Sequence, residues 1–338
     1  MLSAPTFSVV DGSTVNDIID ANKPGIFDTV EAAYRLHDAG DTINPDSYFL
    51  RYPENPCSRI IALPAHVGGD FQKSGIKWIS SFPANTASNL ARASAVLILN
   101  DAVTGYPVAC MEASIISATR TAASAALAAE HLSQNISDET LGVIGTGVIA
   151  RTTIEWLLFR NWKFRKVNLF DLYPEEAEHL RKWLKDEHQI DADIRETLDD
   201  TVRDSSLVLF TTTASQPYLA DETMFDHAPT VLHLSLRDIC TNVIRVSQNI
   251  VDDVDHCLKA NTSLHLTETA EGNRDFIAGT LVEVLEKKVV PDLGKARIFS
   301  PFGLGVLDIG VGNFILEQAI SSKMAIELPD FFSNSARW

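Results

Sequence analysis

Leu141-Gly142-Val143-Ile144-Gly145-Thr146-Gly147-Val148-Ile149-Ala150 is the stretch that decides the fold. A short apolar run stops at a G-x-G-x-x-A turn, and a helical pattern opens directly after it. The glycine pattern alone is weak evidence; placed between a strand and a helix, it is what dinucleotide binding requires. Gly145 permits the tight turn, Gly147 lets the backbone approach a pyrophosphate, and Ala150 keeps the helix close to the sheet. The N–H groups around Thr146, Val148 and Ile149 then face the phosphates at a helix N-terminus, where the backbone dipole favours negative charge.

Downstream, the second expected strand, Lys166 to Phe170, ends at Asp171. A carboxylate about 20 residues past the glycines accepts hydrogen bonds from an adenosine ribose and repels a 2′-phosphate. Leu172 and Tyr173 follow, with no arginine to bind such a phosphate, so the expected cofactor is NAD rather than NADP. Strands over 141–145, 166–170, 206–212, 230–236 and 249–253 alternate with helices over 148–160, 174–188, 221–227 and 240–247. That alternation predicts a doubly wound parallel sheet of the Rossmann kind.

Upstream, the pattern differs. A helix over 15–38, interrupted at Pro24-Gly25, precedes β-type runs at Tyr48–Arg51, Arg59–Leu63, Gly75–Ser80 and Ala95–Asn100. Strands in direct succession predict an antiparallel sheet. Glu112 to Leu132 is alanine-rich without Gly or Pro and reads as one long helix. The tail, Gly310 to Ile326, reads as a helix that packs back on the first domain. The expected fold is therefore α/β: a Rossmann domain over 133–309 plus an α+β substrate-binding and dimerisation domain, with an antiparallel sheet, over 1–132 and 310–338.

The chain has 338 residues and a formal charge of −17, from 28 basic and 45 acidic residues. Such a surface repels phosphate backbones and anionic lipid, which excludes nucleic acid and membrane surfaces as partners. No run reaches the roughly 18 apolar residues of a membrane span. Met1 to Asp11 lacks the basic flank and apolar core of a signal peptide. Cys57, Cys110, Cys240 and Cys257 form no C-x-x-C pair and read as reduced thiols of a cytoplasmic protein.

Several polar residues carry candidate chemistry. Arg120 sits in Ser117-Ala118-Thr119-Arg120-Thr121-Ala122-Ala123, and its helical neighbours Ile116, Ser117, Ala123 and Ser124 are not acidic. Its partner must come from elsewhere, and a ligand carboxylate or phosphate fits. Lys77, in Gly75-Ile76-Lys77-Trp78-Ile79, points to the sheet face opposite Trp78. On these residues alone a solvated sheet-face lysine is the better reading, and Arg51 and Arg59, flanking a turn, are ambiguous too. Arg237 and Asp238 follow the apolar run Val231 to Leu234, at the carboxyl end of an expected parallel strand, where open α/β sheets bind ligands. Thr212 and Ser235 stand at similar strand ends, and Ser300 and Gly303 lie in a glycine-bearing loop that reads either as a backbone approach to a nicotinamide ring or as a plain turn; all four join the cofactor-binding candidates. Asp252-Asp253-Val254-Asp255-His256 reads as a solvated helix cap rather than a metal cluster, and the nine histidines show no ligand spacing, so no metal is expected.

Taken together, Arg59-Ile60-Ile61-Ala62-Leu63-Pro64, Gly75-Ile76-Lys77-Trp78, Thr104-Gly105-Tyr106-Pro107, Ala118 to Ala123 and the Gly145 loop resemble the ornithine cyclodeaminase/μ-crystallin family over about residues 45–320. The resemblance implies that Arg51, Lys77 and Arg120 hold substrate carboxylates, with Lys77 also catalytic. It places Arg120 and Thr121 near the cofactor phosphates and makes Asp238 the catalytic aspartate. Leu236-Arg237 stands where cyclodeaminases carry Gly-Gly, and Ile61-Ala62 replaces their acidic residue. Both departures argue against ornithine cyclisation, while Arg237 suits a substrate with an extra carboxylate. Ser47 to Arg51, Lys77 to Pro83 and Leu234 to Ile239 resemble a branch that oxidises N-(2-amino-2-carboxyethyl)-L-glutamate to 2-oxoglutarate and 2,3-diaminopropionate, for siderophore or peptide pathways. Other amino-acid enzymes of the family, or a non-catalytic nucleotide binder, are the alternatives. A small amino-acid substrate and a homodimer are the expected partners.

Overall fold

The computed structural model describes residues 5–332, so the two ends of the expected first domain, 1–4 and 333–338, lie outside the described residues. The chain divides into two compact units, Met1–Arg120 with Leu304–Trp338, and Thr121–Gly303. The sequence reading puts these switches at 132/133 and 309/310.

The first unit begins with β1 (Phe7–Val10), α1 (Gly12–Ala21) and α2 (Lys23–Asp38). Asp11 caps α1 by accepting from the Thr14 N–H, and Pro24 stands in the first turn of α2, where its missing N–H costs nothing. Then follow β2 (Thr42–Ile43), β3 (Tyr48–Tyr52), β4 (Asn55–Val67), β5 (Lys73–Ser81), a 3-10 turn at Pro83–Ser88, β6 (Ala93–Asp101) and β7 (Pro107–Glu112). The last strand is one the sequence reading omits. The sheet order is β16-β1-β7-β6-β5-β4-β2, with β3 on β4, β16 (Ile326–Leu328) coming from the tail. All pairings are antiparallel except β1 with β7.

The pleat separates two faces. Leu63, Lys77 and Leu97 are directly opposite one another and buried on the inner face. Trp78 and Val96 pair on the outer face and are exposed. α3 (Ser114–Leu132) starts two residues later than expected, because the Glu112 carboxylate accepts from the Ser114 and Ile115 N–H groups and caps the helix from outside.

The second unit holds β8 (Ser137–Ile144), α4 (Val148–Phe159), β9 (Lys163–Phe170), α5 (Pro174–His188), β10 (Ala192–Ile194), α6 (Leu198–Arg203), β11 (Leu207–Phe210), a 3-10 turn at Glu222–Phe225, β12 (Thr230–His233), α7 (Thr241–Val246), β13 (Gln248–Val251), α8 (Val254–Cys257), α9 (Ser263–Glu271), β14 (Ile277–Thr280), α10 (Leu281–Leu285) and β15 (Arg297–Ser300). The sheet runs β10-β9-β8-β11-β12-β15-β13-β14, parallel throughout. The strand order reverses between β8 and β11, and such a switch point opens the crevice in which doubly wound sheets take their ligands. The central strands β11, β12 and β15 are buried at every position, as parallel strands covered on both faces must be.

α11 (Gly305–Ser321) returns the chain to the first unit and packs on α2, β4 and β5. It begins and ends earlier than the expected 310–326, because burial along Val306, Leu307, Ile309 and Val311 outweighs the poor helix propensity of Gly305 and Gly310. The shift places Asp308 in the first turn of a helix rather than in a loop. Among the described residues no helix is long and apolar enough to cross a membrane.

Candidate active site

The β8–α4 turn has the geometry its glycines imply. Gly145 sits at φ +85°, and a Cβ there would come within 2.9 Å of the Thr211 carbonyl and the Thr212 nitrogen. Gly147 is different: a Cβ on it would meet nothing within 4 Å, although its φ of −76° suits any residue. The space beside Gly147 is a cradle that a side chain would fill, and it adjoins the uncapped N-terminus of α4, with Val148 65% exposed. A dinucleotide pyrophosphate fits that combination of open approach and free N–H groups. Thr146 is buried in the turn. Asp171 braces it, accepting from the Thr146 N–H at 2.8 Å and hydroxyl at 3.0 Å through one oxygen and from the Tyr173 N–H through the other. Ile149 is half-buried one residue further along α4.

At the ends of β11 and β12 lies a buried polar knot around Asp238, whose exposure is zero. One carboxylate oxygen accepts from the Thr212 hydroxyl and from Tyr218 Oη at 2.9 Å. The other accepts from the Ser235 hydroxyl and lies 3.2 Å from His233 Nε2. His233 Nδ1 is 3.1 Å from Ser300 Oγ. Burial pushes the Asp238 carboxyl up, but hydrogen bonds from His233, Ser235 and Thr212, with the His233 charge, overcome it and hold the group at about 2. Tyr218 is driven upward by burial and by the adjacent Asp238 charge. Thr212, Ser235, Asp238 and Ser300 are thus brought together as the strand ends imply. His233 and Tyr218 are additions; a histidine inside the apolar run Val231 to Leu234 was the legible signal for the first.

Arg237 donates to the Ala260 carbonyl at 2.7 Å, next to Leu236, whose φ of +68° marks a tightly held loop. Gly303 (φ +93°) and Phe302 donate their N–H groups to Asp252 at 2.7 and 2.9 Å. Asp252 is 3% exposed, which corrects the reading of that acidic run as a solvated edge. Asp253 does cap α8 by accepting from the His256 N–H. Among the described residues no group of three or more His, Cys, Asp or Glu is arranged to hold a metal.

The first unit carries a second cluster. Lys77 is 1% exposed, not a solvated sheet-face lysine. Its Nζ donates to Asp308 Oδ2 at 2.7 Å and to Ser117 Oγ at 3.0 Å, and Arg120 Nε donates to Asp308 Oδ1 at 3.2 Å. The partner that Arg120 requires from elsewhere is therefore a protein carboxylate on α11. Burial and, after it, the Arg120 charge lower Lys77 against the pull of Asp308, for a net value of about 8. Two buried cations thus meet at one buried anion. Sequence reasoning passes over Asp308, yet a lone acid in Gly305-Val306-Leu307-Asp308-Ile309 is the signal that marks it. Thr121 follows Arg120 on α3 and is half-buried. Arg51 is exposed on β3, its guanidinium 4.9 Å from the centroid of the Phe49 ring.

With this geometry in place, the comparisons with known proteins gain meaning. Residues 19–323 match the model of the ornithine cyclodeaminase/mu-crystallin family. The N-((2S)-2-amino-2-carboxyethyl)-L-glutamate dehydrogenase of Staphylococcus aureus is 31% identical over 310 residues, spanning 89% of this chain and 92% of that protein. The Delta(1)-pyrroline-2-carboxylate reductase of Thermococcus litoralis, solved with NADH and L-proline, superimposes with a TM-score of 0.87 at 22% identity, covering 95% of this chain and 100% of that one. An archaeal alanine dehydrogenase dimer with bound NAD gives 0.84 at 21% identity, covering 96% and 100%.

Proposed function

Because this chain belongs to the ornithine cyclodeaminase/mu-crystallin family, we propose that it is an NAD-dependent oxidoreductase that cleaves N-(2-amino-2-carboxyethyl)-L-glutamate. The products are 2-oxoglutarate and 2,3-diaminopropionate, building blocks suited to siderophore or peptide natural products. The enzyme class, oxidation at a CH–NH bond, rests on the family. The tricarboxylic amine is the finer reading. It is carried by one observation: two buried cations, Lys77 and Arg120, meet at a single buried carboxylate, Asp308.

The β8–α4 turn, with Gly145, Thr146, Gly147, Val148 and Ile149, holds the diphosphate, and Asp171 orients that turn and serves the ribose. Thr121, Thr212, Ser235, Ser300 and Gly303 complete the cofactor contacts in this reading. NAD, when bound, would supply the acceptor for the hydride of the glutamate α-carbon, and the amine proton would pass to solvent. Oxidation leaves an imine; water adds to it, and the carbinolamine breaks its C–N bond, so one amine and one water yield the keto acid and the diamino acid. Lys77 and Arg120 fix the α-carboxylate, and Arg51 and Arg237 serve the others. Lys77, at about 8, is well matched to moving a proton near neutral pH. Asp238, held at about 2, is a weak proton acceptor; it acts chiefly as a fixed negative charge that orients His233, Ser235 and Thr212. The homodimer forms through the outer sheet face, where the exposed Tyr48, Trp78 and Val96 stand in one cross-strand row around the buried Ala62.

The test is direct. Purified protein is incubated with NAD and the tricarboxylic amine while NADH absorbance is followed and the products are identified by mass spectrometry. Stoichiometric NADH, 2-oxoglutarate and diaminopropionate are expected. A cyclodeaminase would recycle its hydride and build up no NADH, and NADH formation only with alanine would replace the substrate. Arg120→Ala should raise KM sharply; an unchanged KM removes Arg120 from the site.

A further inference from the structure

We propose that Asp252 is a positioning residue of the cofactor site: it grips the Phe302 and Gly303 N–H groups and thereby turns the Pro301 and Phe302 carbonyls into acceptors for the carboxamide of the nicotinamide ring. The proposal rests on the cofactor reading above, in which Ser300 and Gly303 touch the nucleotide, and adds the buried acid that shapes them.

Asp252 directly follows β13 and is 3% exposed. Its Oδ2 accepts from the Gly303 N–H at 2.7 Å, and its Oδ1 accepts from the Phe302 and Asp253 N–H groups, both at 2.9 Å. Cys257 Sγ lies 3.1 Å from that same Oδ1 and 3.1 Å from the Ser300 carbonyl oxygen. Among the described residues no cation pairs with Asp252. A carboxylate buried without a cation is costly, and two of its four contacts fix one dipeptide, Phe302-Gly303. The loop is fixed at its start as well, because Ser300 Oγ is 3.1 Å from His233 Nδ1.

In a trans peptide the C=O points opposite to the N–H, and the described residues contain no cis bond. Holding the Phe302 and Gly303 N–H groups therefore aims the Pro301 and Phe302 carbonyls away from Asp252. Among the described residues neither carbonyl accepts a hydrogen bond. Gly303, at φ +93°, supplies a backbone angle that a side chain would resist. Sheet order puts the loop on the ring's side of the site. Asp171 ends β9 on the adenosine side, and the diphosphate turn follows β8. Across the switch point the ring comes over the ends of β11, β12 and β15, and the loop leaves the end of β15. A carboxamide carries two N–H donors, which two unengaged carbonyls match.

Calorimetry with NADH and ADP-ribose tests this, because ADP-ribose keeps the adenosine and diphosphate and lacks the ring. Asp252→Asn replaces one acceptor oxygen by an NH2 that opposes an N–H, so one grip on the loop is lost. NADH should then bind about tenfold more weakly, the worth of one misplaced hydrogen bond, while ADP-ribose binds unchanged. Asp252→Ser, a lone neutral acceptor, should show the same split and is read where Asn does not fold; a cooperative thermal melt establishes folding. The reduced 3-acetylpyridine analogue of NADH has a methyl in place of the amide NH2. It should bind wild type about tenfold more weakly than NADH and be insensitive to Asp252→Asn. Equal weakening of NADH and ADP-ribose, the mark of a merely structural role, overturns the proposal, as does no change in either or an equal drop for NADH and its analogue. A wild type that binds neither NADH nor ADP-ribose overturns the cofactor reading itself. Binding of both with no split in the variant overturns only the role of Asp252.

Discussion

Asp308 places its Oδ2 2.7 Å from Lys77 Nζ, bridging 231 residues of sequence inside a fully buried pocket of charge. Lys77 feels three opposing influences. Burial lowers it, the Asp308 carboxylate raises it, and the Arg120 charge lowers it, for a result of about 8. Removing the carboxylate leaves only the two lowering effects. In Asp308→Asn, the Lys77 titration should therefore move below about 8, by about one to three pH units for a lost opposite charge at this range. Nitrogen-15 NMR of the lysine side chains reads the midpoint without needing a substrate. The matching limb of the kcat profile should shift in the same direction. A midpoint that stays in place would mean that Asp308 acts on packing alone. Asp308→Glu, which restores the charge, should recover part of the shift.

Asp238 gives a pH dependence of the opposite kind. Its carboxyl is held at about 2, below the ordinary 3.8, so the folded state binds its proton less readily than the unfolded chain. The stabilisation is complete above 3.8 and is lost as pH falls through about 2, with a worth of about 2 kcal/mol at neutral pH. Denaturant melts of wild type and Asp238→Asn should converge as pH falls from 5 toward 2. In the same variant turnover should fall about 10²-fold, because His233, Ser235 and Thr212 lose the fixed charge that orients them. Near-wild-type turnover would take Asp238 out of the chemistry.

The sequence made the second unit the more readable half, for a physical reason. Leu141 to Ala150 carries its own explanation, since a strand, a left-handed glycine and a helix start are all local. Arg120 was visible as a cation with no acidic neighbour on its own helix, whereas Lys77 read better as a solvated sheet-face lysine. What a linear reading could not supply was the partner, because Asp308 reaches them through tertiary packing of α11 rather than through spacing. The start of that helix was obscured by Gly305 and Gly310, whose low helix propensity is overridden by burial.

The two turn glycines should separate under mutation. Gly145→Ala forces a side chain into a φ of +85° and against the Thr211 carbonyl at 2.9 Å, so it should destabilise the fold itself by about 1–3 kcal/mol. Gly147→Val meets open space and an ordinary φ. Its thermal midpoint without cofactor should match wild type, while NAD affinity should drop at least about tenfold, as the new side chain occupies the approach to the α4 N-terminus. Fluorescence titration with NADH and a thermal melt on each variant decide the matter. Wild-type NADH affinity in Gly147→Val would place the diphosphate elsewhere.

The outer sheet face supplies the last prediction. Tyr48 is 75% exposed, Trp78 41% and Val96 39%, in one row across β3, β5 and β6 that also includes Ala62. Contiguous exposed apolar surface on a sheet is costly in water and marks an interaction site. If two copies of the chain meet there, a charge in the middle of the row is buried without a partner in the dimer and remains solvated in the monomer. Trp78→Glu should then sediment as a monomer at micromolar concentration, whereas wild type should sediment as a dimer. The thermal midpoint should fall with the loss of partner. Because Trp78 faces away from Lys77 on the next residue of β5, Lys77 should keep its titration in the monomeric variant. A Trp78→Glu protein that still sediments as a dimer would move the interface to another face.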